Sequence, residues 1–78
     1  MNREDKQLIC NTLVPVLQQT RAYREVSALI YNCLPGGREY VDVYNFNSGK
    51  PQITVNVTMD SGAAMLDDIL ENLRRLYL

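Results

Sequence analysis

Residues 26–34 read V-S-A-L-I-Y-N-C-L, and their conformation decides the fold of this chain. Val26, Leu29, Ile30 and Cys33 fit one side of a helix, while Val26, Ala28 and Ile30 alternate as in a strand. The next residues tip the balance. Leu34-Pro35-Gly36-Gly37-Arg38 places proline and then glycine at the two central positions of a turn. Proline fixes a negative φ and glycine supplies the positive φ that a type II turn requires. A turn between two β-like runs predicts a hairpin and makes residues 26–34 a strand. The alternative, a helix over residues 23–34, leaves one hairpin and the order α-α-β-β-α.

The runs that follow are plainer. In residues 39–46 (E-Y-V-D-V-Y-N-F), Val41 and Val43 share one face and Tyr40, Asp42 and Tyr44 the other. Asn47-Ser48-Gly49-Lys50 turns the chain. Residues 52–59 then alternate, with Ile53, Val55, Val57 and Met59 inward and Thr54, Asn56 and Thr58 outward, the pattern of a half-buried antiparallel strand.

Helices flank this sheet. Asn2 followed by Asp5 is a helix start, and Ile9, Leu13, Val16 and Leu17 continue at helical spacing. A helix is predicted over residues 3–20, with Pro15 as its irregularity. At the other end Leu66, Ile69, Leu70, Leu73 and Leu76 form an apolar stripe. Asp67, Asp68 and Glu71 fall early in that helix and Arg74 and Arg75 late, complementing its dipole. The expected fold is α+β, in the order α-β-β-β-α: a three-stranded antiparallel meander with helices on one face.

Seventy-eight residues, 46% of them hydrophobic, make one small domain over residues 1–78. A core this small yields only ~3–5 kcal/mol, so self-association through a sheet edge is an economical source of stability, and a homodimer is expected. The net charge of −1 speaks against a general nucleic-acid binder. Residues 1–38 carry five basic and three acidic side chains, residues 39–78 three basic and six acidic. Cys10 and Cys33 lack any CxxC spacing, and there is no histidine. Neither a zinc site nor another cofactor is therefore expected, and both thiols are read as reduced and core-packed in a cytoplasmic protein. No segment approaches the ~18 apolar residues of a membrane span.

One tripeptide invites an enzymatic reading. Asp60-Ser61-Gly62 joins the best strand to the last helix. D-S-G-A-A after a β-run resembles the aspartic-protease motif of the short retroviral type, which implies a dimeric site. That family continues into a glycine-rich flap and further strands, whereas the residues here are patterned as a helix. A Ser-His-Asp relay is excluded by the missing histidine, and a P-loop by the missing GxxxxGK[ST]. The plain reading is a helix cap at Asp60 or Ser61, with Ser61 and Gly62 keeping a lesser role as an anion contact.

Two further groups could bind. Tyr40, Tyr44 and Phe46 lie on the strand face, or at the strand end, opposite the valines. Exposed tyrosine on a flat sheet suits protein contact, because it buries much area at little entropic cost. Arg21, Arg24 and Arg38 are candidate anion-binding residues, since guanidinium forks match phosphate and carboxylate.

The ending V-N-V-T-M-D-S-G-A-A-M-L-D-D-I-L resembles that of small accessory proteins of bacteria, phages and mobile elements, in which a hairpin runs into V-T-x-D-S and a closing amphipathic helix. The resemblance implies no established activity; it suggests action by binding, including inhibition of host defence proteins. The expectation is thus a non-enzymatic protein-binding module. The alternative is an oligomeric binder of a small anionic ligand such as a nucleotide.

Overall fold

The computed structural model describes residues 2–77. Its elements are α1 (Arg3–Gln18), β1 (Val26–Cys33), β2 (Glu39–Asn45), β3 (Ile53–Asn56) and α2 (Gly62–Tyr77). The three strands form one antiparallel sheet in the order β1-β2-β3, so the α-β-β-β-α meander is the fold.

The hairpin between β1 and β2 forms as its turn chemistry requires. Gly37 N–H donates to Leu34 C=O around Pro35 and Gly36, and Gly36 has φ +89°. Arg38 C=O then accepts from Leu34 N–H. In β1 the pairing register slips between Val26 and Ala28, a β-bulge. This irregularity explains the mixed signal of residues 26–34. The extra residue puts Val26 and Leu29 together on the buried face, at a spacing that imitates a helix, and leaves Ala28 and Ile30 on the other. The simple alternation of Val26, Ala28 and Ile30 is thereby corrected.

Both helices pack on one face of the sheet. Val26, Leu29, Val41, Val43, Val55 and Val57 from the strands join Cys10 and Leu17 of α1 and Met65, Ile69 and Leu73 of α2 in a single buried cluster. Removing one such large side chain, as in Leu29→Ala or Ile69→Ala, costs roughly 2–5 kcal/mol.

The helix faces sit slightly rotated from the expected ones. In α1 the buried positions are Lys6, Cys10 and Leu17, while Val16 is 58% exposed. Pro15 is accommodated inside a continuous helix that ends at Gln18. In α2 the buried line runs Gly62, Met65, Ile69, Leu73, leaving Leu70 and Leu76 partly exposed at its margins. Asp67 and Asp68 lie in its second turn, since the helix opens at Gly62 without acidic residues in the first. β3 is also shorter than the alternation of residues 52–59 suggests. The chain turns after Val57, and Met59, expected to point inward, is 90% exposed with φ +62°.

Candidate functional site

One face of the sheet is left without a helix. The register sets Tyr40 between Asn32 of β1 and Asn56 of β3, Asp42 between Ile30 and Thr54, and Tyr44 opposite Ala28. Alternation therefore places Tyr40 and Tyr44 on the uncovered face, as the strand pattern predicts. Both are half-buried. Asp42 is fixed between them: its carboxylate accepts from Asn32 Nδ2 at 2.8 Å and from Thr54 Oγ1 at 2.7 Å. Asn32, Leu34, Tyr40, Asp42 and Thr54 line a shallow hollow of about 340 Å³.

Ile30 and Leu34 add exposed apolar surface at 39% and 45%. Sequence reading missed both, having spent Ile30 on the core face through the unrecognised bulge. Phe46 lies beyond the end of β2, where its N–H donates to Glu25 C=O, and is 65% exposed. It stands at the far end of the strand from Tyr40 and is not part of the hollow.

The candidate anion-binding residues do not converge. Arg21 and Arg24 precede β1 and Arg38 follows it, so the eight-residue strand separates them. All three are exposed and make no ion pair among the described residues. Ser61 and Gly62 open α2, where Ser61 Oγ accepts from Ala64 N–H at 3.2 Å and Ser61 C=O from Met65 N–H at 2.9 Å. Ser61 is the helix cap; Asp60 is not.

The surroundings of that cap are acidic. Glu39 and Asp60 lie there, and Asp60 has a buried Oδ2 with no hydrogen-bond partner. The hydrogen bond that a protonated Asp60 can share with Asp68, then burial, then the Asp68 charge, push its carboxyl up to about 6. An anion gains little at such an end.

A buried polar cluster joins the elements here. Lys6 Nζ and Tyr31 Oη both donate to Glu39 Oε1, and Met59 N–H donates to Oε2 at 2.8 Å. The Lys6 and Tyr31 hydrogen bonds, and then the Met59 N–H, hold Glu39 down at about 2 against its own burial. Burial first, and then Glu39, raise the Tyr31 phenol well above its usual range. With three donors on one carboxylate, this cluster has the character of a fastening. Sequence reading missed it, although Lys6, Cys10, Leu13 and Leu17 recur at 4-3-4 spacing and place the lysine on the buried stripe.

Elsewhere, Leu8, Ile9, Thr12, Leu13, Val16 and Leu66 line an apolar groove of about 400 Å³ between the helices. Cys10 is buried and Cys33 half-buried, both as free thiols; burial pushes Cys10 up to about 11. No helix among the described residues is long and apolar enough to cross a membrane.

The fold and site define a one-sided α+β sheet domain with a tyrosine-bearing open face. In comparisons with known proteins, no family model, no curated protein and no solved structure matches the chain.

Proposed function

We propose that this chain is a small non-enzymatic binding protein that docks a protein partner on its uncovered sheet face. One observation carries the reading: both helices pack on the same side, leaving Tyr40 and Tyr44 on the other, with Ile30 and Leu34 exposed nearby. Tyrosines held against a rigid sheet lose little entropy when covered, and the bound Asp42 carboxylate offers a fixed polar centre. The likeness of the C-terminal half to phage and mobile-element accessory proteins directs the choice of partner toward a host defence protein in the cytosol, with the chain as its inhibitor. Sequestration of a small anion is less well supported, because the three arginines stand apart and the α2 start is acidic.

The test is affinity capture from the native host, followed by binding of the recovered partner to variants. Tyr40→Ala and Tyr44→Ala are expected to weaken binding at least tenfold each, as hot-spot tyrosines do. Leu8→Ser, on the helical side, is expected to leave it unchanged. Full affinity in both tyrosine variants would overturn the reading. A thermal shift with nucleotides but no captured protein would favour the anion binder.

A further inference from the structure

The two edges of the sheet are treated differently. Along β1, the Gln7 side chain lies against the strand like a piece of backbone: its Oε1 accepts from Tyr31 N–H at 2.8 Å and its Nε2 donates to Leu29 C=O at 3.1 Å. Gln18 Nε2 likewise donates to Val26 C=O. α1 thus closes the β1 edge, as proteins commonly protect such edges.

β3 has no such cover. Glu39 C=O accepts from Val57 N–H and Val43 C=O from Gln52 N–H, so alternate residues of β2 turn their backbone toward β3. Asp42 and Tyr40 turn theirs toward β1. Thr54 and Asn56, opposite Asp42 and Tyr40, therefore direct both N–H and C=O away from the sheet. Both residues are exposed. The flanking donors are taken: Gln52 N–H by Val43, and Thr58 N–H by Asn56 Oδ1.

We propose that this β3 edge pairs with the same edge of a second copy, antiparallel about a two-fold axis at Val55, joining two sheets into one of six strands. Thr54 then faces Asn56 of the other copy and Asn56 faces its Thr54, and every free group on both edges finds a partner. Other registers fail. A two-fold at Thr54 calls on Gln52 N–H, and one at Asn56 calls on Thr58 N–H, both already donated within the chain.

Pro51 and the left-handed turn at Met59 end the edge on either side. With β1 closed by Gln7, the assembly stops at two copies and does not grow. This pairing stands independently of the partner-binding reading. It would set two Tyr40/Tyr44 faces side by side on one continuous sheet.

Sedimentation equilibrium of the intact chain tests it, with cysteine cross-linking in a Cys33→Ser background. The mass is expected to rise with concentration from 8.9 kDa toward twice that value. Thr54→Pro, which replaces an outward N–H with a ring, is expected to give a folded monomer by circular dichroism. Under mild oxidation, a mixture of Thr54→Cys chains and Asn56→Cys chains should cross-link between the two types, several-fold faster than either type with itself. A chain that stays monomeric at its highest soluble concentration overturns the proposal. So does a folded Thr54→Pro dimer, or equal cross-linking in all combinations; should Thr54→Pro fail to fold, the cross-linking pattern decides.

Discussion

Lys6 Nζ sits 2.5 Å from Glu39 Oε1, with the two side chains only 4% and 13% exposed, so an ion pair fastens the first turns of α1 to the start of β2. Breaking a pair this deeply buried strands the remaining charge, which typically costs ~3–5 kcal/mol. For a domain of this size that is most of the stability. Lys6→Met and Glu39→Gln are each expected to destabilise the fold by about this much. The double variant should lose clearly less than the sum, because neither charge is then left alone. Urea denaturation of the four proteins closes the cycle, and strict additivity would remove the coupling.

The two shifted carboxyls at this end give opposite pH dependence. Glu39 titrates near 4.5 when unfolded and about 2 when folded, so its contribution is present above 4.5 and is lost as pH falls toward 2. Asp60, beside Asp68, goes from 3.8 unfolded to about 6 folded. Between those values the folded state holds the extra proton, so stability falls as pH rises from about 4 to 6. The sum is a stability maximum near pH 4–5 and a decline toward neutrality of about 1–3 kcal/mol. Melting temperatures across pH 3–8 measure the curve. In Asp60→Asn the decline should vanish while the acid limb remains.

Much of this architecture was legible in the sequence, and the failures have physical causes. Alternation at Val41, Val43, Val55 and Val57 reports the sheet directly, since each faces one apolar layer. The Pro35-Gly36 pair reports its turn because few residues meet that geometry. The β1 bulge was hidden: an inserted residue changes the period within one strand and mimics a helix at Val26, Leu29 and Cys33. Met59 was misread because strict alternation carries no information about where the strand stops. The open-face tyrosines could be placed from parity, whereas Leu34 owes its position to the hairpin turn and Lys6 its burial to a partner 33 residues away. The 4-3-4 spacing of Lys6, Cys10, Leu13 and Leu17 puts the lysine on the buried stripe, but no local pattern names Glu39 as its partner.

Met59 occupies a left-handed conformation that costs an L-residue about 1–2 kcal/mol, and its side chain, 90% exposed, recovers little of this. Its N–H bond to Glu39 survives any substitution except proline. Met59→Gly therefore relieves strain without loss of packing, offset by the extra freedom of glycine in the unfolded chain. A net gain of about 0.5–1 kcal/mol is expected, seen as a rise of roughly 2–8 °C in Tm for a domain of this size. Met59→Ala keeps the strain and should not reproduce the gain. Equal behaviour of the two variants would show that the turn is not strained.

Gln7 joins α1 to the β1 edge through two hydrogen bonds on one amide, to Tyr31 N–H and Leu29 C=O. Gln7→Leu keeps the bulk and removes both partners, leaving those backbone groups to compete for water beside a helix. The loss should be about 1–3 kcal/mol. Its signature is local. The Tyr31 amide, which points outward to Gln7, is expected to exchange its hydrogen at least tenfold faster, a change equivalent to ~1.4 kcal/mol. The amide of Ile30, turned toward Asp42 of β2, should change much less. Equal acceleration at both sites would mean that Gln7 contributes only to global stability and does not guard the edge. If it does guard it, the variant should also associate more readily, because a second strand edge then lies open.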